Sequence, residues 1–158
     1  MKHTLLLPSK YKMAGWIIFF PSFILGLYLI ISDYEPSWLD VKMLSIFPGQ
    51  ILGAKEYFSM ISVNLMNTIG GVLFIIACLL VGFSKEKNED EFIAKIRLSS
   101  LLWAVLVNYT LLLLAFIFIY GTAFFTVMIY NMFTVLLIFI VRFNYILYKN
   151  AKSVSDEK

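Results

Sequence analysis

The sequence predicts an all-α integral membrane protein: a four-helix transmembrane bundle with both termini in the cytoplasm and with helices three and four joined as a tight antiparallel hairpin. Three observations predict it. The 158 residues are 61% hydrophobic and 15% charged, with a mean hydropathy of +0.85, against about 45–50% apolar and about 25% charged in soluble domains. A small soluble domain keeps too much surface in water to hide so many apolar side chains. Four stretches, 13–31, 58–83, 98–120 and 123–141, contain no Asp, Glu, Lys or Arg. About 20 such residues cross a hydrocarbon layer of about 30 Å, and backbone amides in lipid must pair within their own segment, which makes each stretch a helix. Third, the cations divide by side. With the N-terminus inside, Lys2, Lys10, Lys12, Lys85, Lys87, Lys95, Arg97, Arg142, Lys149, Lys152 and Lys158 are cytoplasmic, and only Lys42 and Lys55 are outside. That asymmetry sets orientation and requires an even number of spans. A transmembrane β-barrel is disfavoured, because runs such as 111–114 and 135–141 are apolar on every side rather than alternating.

Span one follows three lysines, as a secretory signal would, but Ile31-Ser32-Asp33-Tyr34 is no small-residue cleavage site, so it reads as a retained anchor. Pro21 removes a backbone donor inside it, which predicts a kink and marks a candidate hinge. Ser22 and Gly26 form a small-residue packing strip beside it. The outer loop, 32–57, mixes Asp33, Glu35, Asp40 and Glu56 with Trp38, Leu39, Met43, Leu44, Ile46 and Phe47, around a Pro48-Gly49 turn. So many large apolar residues predict a loop lying on the membrane surface or capping the bundle.

Span two carries Cys78, read as a small packing residue. The cytoplasmic loop, 84–97, leads into span three through Asn88-Glu89-Asp90-Glu91. Asn88 is the expected N-cap, with Glu91 completing a capping-box-like pair and acids favoured by the helix dipole. Phe92, Ile93 and Ile96 then form an apolar stripe, with Lys95 and Arg97 at headgroup level. Little more than Gly121 and Thr122 separates spans three and four, which predicts the hairpin. Residues 150–158 read as a disordered polar tail. Trp16, Trp103, Tyr145 and Tyr148 mark the inner interface, and Tyr34, Trp38, Tyr57 and Tyr120 the outer one. The chain reads as one membrane domain over 1–158 without internal repeats.

Chemistry is sparse. The spans carry no carboxylate of the kind that couples a carrier to protons. One His (His3) and one Cys leave no metal or redox set, and no hydrolase motif is present. The expectation is a non-enzymatic protein with no cofactor and no metal. Its polar groups in the spans are amides and hydroxyls. Asn64, Asn67, Thr68 and Gly71 follow helical spacing in span two, as do Ser100, Ala104 and Asn108 in span three and Thr126, Tyr130, Asn131 and Thr134 in span four. Asn64, Asn67, Thr68, Asn108, Tyr130, Asn131 and Thr134 are therefore a candidate intramembrane polar site. They serve either as helix–helix glue, at about 0.6 kcal/mol per bond, or as a pocket for a small solute. On the cytoplasmic side Glu89, Asp90, Glu91, Lys95 and Arg97 are a candidate surface for docking a partner. Its near-balanced charge disfavours nucleic acid.

Residues 85–109, KEKNEDEFIAKIRLSSLLWAVLVNY, resemble a segment of small four-span bacterial membrane proteins of unknown function, of the kind encoded beside small helix-turn-helix regulators. The resemblance implies a membrane partner of a cytosolic regulatory protein, located in the bacterial inner membrane. The expected function is thus a regulatory or sensory membrane component, surrounded by lipid and able to form homo-oligomers, with a transporter or channel subunit using the Asn cluster as the alternative.

Overall fold

The computed structural model describes residues 6–32, 39–45 and 58–156, with the side chains of 59 and 153–156 left aside. The Pro48-Gly49 turn, His3, and the interface aromatics Tyr34, Trp38 and Tyr57 lie outside the described residues. The elements run α1 (Lys10–Ser32), β1 (Asp40–Ser45), β2 (Ser59–Asn64), α2 (Leu65–Phe83), α3 (Glu91–Phe118) and α4 (Thr122–Asp156). All four helices are long and apolar enough to cross a membrane. The shortest, α2 with 19 residues, rises about 28 Å. Large apolar side chains are exposed along every helix, among them Ile17, Ile76, Leu102 and Ile129. Water would penalise such continuous apolar surface and hydrocarbon does not.

By its contacts the chain divides into two compact units, Met1–Ile18 with Ile75–Lys158, and Phe19–Phe74, where the sequence reads as one domain. The second unit holds the two strands, which pair antiparallel in the register Asp40↔Asn64 to Ser45↔Ser59. Val41 faces Val63 and Met43 faces Ile61 across them, the apolar cross-strand pairing that stabilises a ladder. Part of the expected surface loop is therefore strand, and so is the start of the expected second span. Absence of charge over 58–83 reports solubility in hydrocarbon and does not choose a backbone conformation. In the same unit the rings of Phe19, Phe23 and Phe74 stack with centroids 5.6 to 6.1 Å apart. α1 runs as one helix through Pro21. Among the described residues nothing lies within 4 Å of a Cβ added at Gly26, while Ser22 of the same strip is buried.

In the first unit, Leu7 bridges to the end of α2: its N–H donates to the Phe83 carbonyl at 3.0 Å and its carbonyl accepts from Lys85 N–H at 2.8 Å. Gly15 admits α2 at close range, since a Cβ there would stand 2.9 Å from the Val81 backbone nitrogen. The core comprises Ala77, Cys78, Val81, Ala104, Phe139, Ile140 and Phe143, all at 1% exposure or less. Phe83 and Phe143 flank Phe139 at 5.7 and 6.0 Å. Between α3 and α4 the chain turns at Gly121, whose φ of 70° lies in the left-handed region that costs side-chain-bearing residues energy. α4 continues to Asp156, so residues 150–156, expected to be disordered, are helical. Lys149, Asn150, Ala151 and Lys152 are polar or small yet compatible with helix, and polarity excludes them from hydrocarbon without melting them.

Candidate functional site

The charged turn between α2 and α3 is built on two ion pairs. Arg97 Nη1 donates to Glu89 Oε1 at 2.7 Å and Nη2 donates to Glu89 Oε2 at 3.1 Å. Nη2 also donates to the Ser84 carbonyl at 3.1 Å. The guanidinium lies 4.9 Å from the centroid of the Phe143 ring, which places a fourth contact beneath it. Glu89 Oε2 in turn accepts from the Glu86 backbone N–H at 2.8 Å. Lys12 of α1 pairs with the Glu86 carboxylate, and its ammonium stands 5.7 Å above the same Phe143 ring. One phenylalanine of α4 thus supports cations from α1 and α3. A bidentate Arg–carboxylate fork fixes direction as well as distance, so the turn has one arrangement.

This revises the expected docking surface. Arg97 is 7% exposed and Glu89 is half-buried, so these two face each other rather than a partner or a headgroup. Their charges are satisfied internally because burying either alone would be costly. Asp90, Glu91 and Lys95 are exposed, as are Lys85, Lys87 and Asn88. The expected cap also moves: Asp90, in extended conformation, accepts from Ile93 N–H at 2.7 Å, and α3 starts at Glu91 rather than near Asn88. Aspartate caps as well as asparagine does, and spacing alone does not separate two good caps two residues apart.

Of the candidate intramembrane polar residues, Asn108 of α3 and Asn131 of α4 are brought together. Each Nδ2 donates to the other's Oδ1, at 3.0 and 3.2 Å, and Asn108 is 3% exposed. The reciprocal bonds join the two helices through both side-chain amides, which is the geometry of a helix–helix tie. Thr134 Oγ1 donates to the Tyr130 carbonyl at 2.9 Å within α4, and both residues belong to its outward surface or its flank. Asn64 is not in a helix. It ends β2, donates to Asp40 Oδ1 at 2.9 Å and accepts from Met66 N–H at 3.0 Å, so it caps α2. The expected four-residue face on span two accordingly lacks its first member, while Asn67 and Thr68 are exposed on the first turn of α2.

Sequence reasoning did not foresee the Lys12–Glu86 pair, the Phe143 support, the close approach at Gly15, or Arg142 resting 4.3 Å over the Trp103 ring. All join residues far apart in sequence, and no local spacing signals them. Among the described residues no three His, Cys, Asp or Glu side chains gather as a metal-binding group. Ser84 Oγ, Arg97 Nε and Ser100 Oγ are buried without a hydrogen bond. Comparison with protein-family models, curated proteins and solved structures finds no match to this chain.

Proposed function

We propose that this chain is a non-enzymatic regulatory or sensory component of the bacterial inner membrane, with both termini cytoplasmic, that acts through a cytosolic partner. The partner binds the exposed residues of the α2–α3 turn: Lys85, Lys87, Asp90 and Glu91. The observation that carries this reading is the Arg97–Glu89 fork. It holds the turn in one shape while leaving neighbouring charges exposed, and a pre-ordered surface avoids the entropic cost of ordering on binding. The orientation rests on the distribution of lysine and arginine. An antiparallel α3–α4 hairpin is supported by the contact sequence Phe116 with Phe124, Asn108 with Asn131, and Arg97 with Phe143. The reciprocal Asn108–Asn131 pair favours packing over solute passage.

Photo-crosslinking in living cells tests the proposal. A probe replacing Lys87 captures one reproducible cytosolic protein, and Asp90→Lys with Glu91→Lys abolishes the capture. Recovery of lipid alone from the probe rejects the partner. A cysteine replacing Tyr120 reacts with an impermeant thiol reagent from outside and one replacing Lys87 does not; the reverse pattern rejects the orientation.

A further inference from the structure

Neither Arg142 nor Lys95 forms an ion pair with a described residue. The guanidinium of Arg142 is spread on Trp103, and its Nε is buried with no hydrogen-bond partner. Trp103 also lines a surface groove of about 420 Å³ on α3, together with Lys95, Leu98, Ser99, Leu102 and Leu106. From Lys95 to Leu106 the helix rises about 16 Å, which is about the depth of one leaflet of a hydrocarbon layer of about 30 Å. The groove therefore has Lys95 at one end and apolar side chains along most of the rest, with Arg142 of α4 lying against the face of the lining residue Trp103.

We infer that this groove is a binding site for an anionic phospholipid. Lys95 and Arg142 hold the phosphodiester, Ser99 lies just beneath it, and the acyl chain lies along Leu98, Leu102 and Leu106. Basic sites at the ends of membrane helices select anionic headgroups in this way. Trp103 serves both, lying under the guanidinium and lining the groove.

The test uses the full chain in detergent micelles and native mass spectrometry. Phosphatidylglycerol stays bound at least about tenfold more than phosphatidylcholine, as two cations near a headgroup predict. The variant Lys95→Gln with Arg142→Gln loses that preference, while Lys149→Gln with Lys152→Gln keeps it. Equal retention of the two lipids, equal loss in both variants, or displacement by inorganic phosphate overturns the inference. A second measurement needs no charge variant. Trp16→Phe with Trp38→Phe leaves Trp103 as the sole tryptophan of the three, and brominated phosphatidylglycerol then quenches it more than brominated phosphatidylcholine at equal mole fraction. Equal quenching overturns the inference even if the charge variants do not fold.

Discussion

Arg97 and Arg142 sit on facing helices, and each lays its guanidinium over an aromatic ring, Phe143 at 4.9 Å and Trp103 at 4.3 Å. They differ in what completes them. Arg97 has both oxygens of Glu89 and the Ser84 carbonyl; Arg142 has no carboxylate among the described residues. The ring contact is common to both, so it is not what separates their roles. The carboxylate separates them. On the lipid assignment above, Arg97 with its own counter-ion serves the architecture, and Arg142, with none among the described residues, serves the proposed headgroup site.

The comparison can be broken most forcefully at Glu89. Glu89→Gln leaves Arg97 buried beside a neutral amide and lowers stability by about 3 kcal/mol, the cost of removing one partner of a buried pair, as read by reversible unfolding in mixed micelles. A loss below about 1 kcal/mol would place the fork among ordinary surface pairs. The amide tie further along the same two helices serves as a neutral reference. Asn108→Leu destabilises by about 1 kcal/mol, and a double-mutant cycle with Asn131→Leu yields a coupling of about 0.6 kcal/mol. The smallest effect falls on Arg142→Gln, which forfeits only the ring contact and costs about 0.5 kcal/mol in lipid-free micelles. If that substitution matched Glu89→Gln in magnitude, the two arginines would share a structural role and the contrast would dissolve.

Much of the helical architecture was legible in the sequence because it is a solvation pattern. Charge-free runs locate hydrocarbon-soluble segments, and four helices long and apolar enough to cross a membrane are present among the described residues. Their boundaries were less legible, since solvation says nothing of conformation at the edges. Residues 59–64 carry no charge yet pair as strand, with Asn64 capping the helix that follows. Residues 150–156 are too polar for lipid yet remain helical. Of the candidate polar site, helical spacing placed residues on faces within each span but did not say which would meet across spans, as Asn108 and Asn131 do. The charged turn was legible as composition and illegible as geometry. Nothing in the order of Glu89, Asp90 and Glu91 says which carboxylate folds back eight residues to Arg97, which caps the helix, and which stays exposed.

The length of α4 has a geometric meaning. Its 35 residues extend about 52 Å, well beyond a hydrocarbon slab of about 30 Å. α4 is one uninterrupted helix, so about 20 Å of it stands outside such a slab when upright.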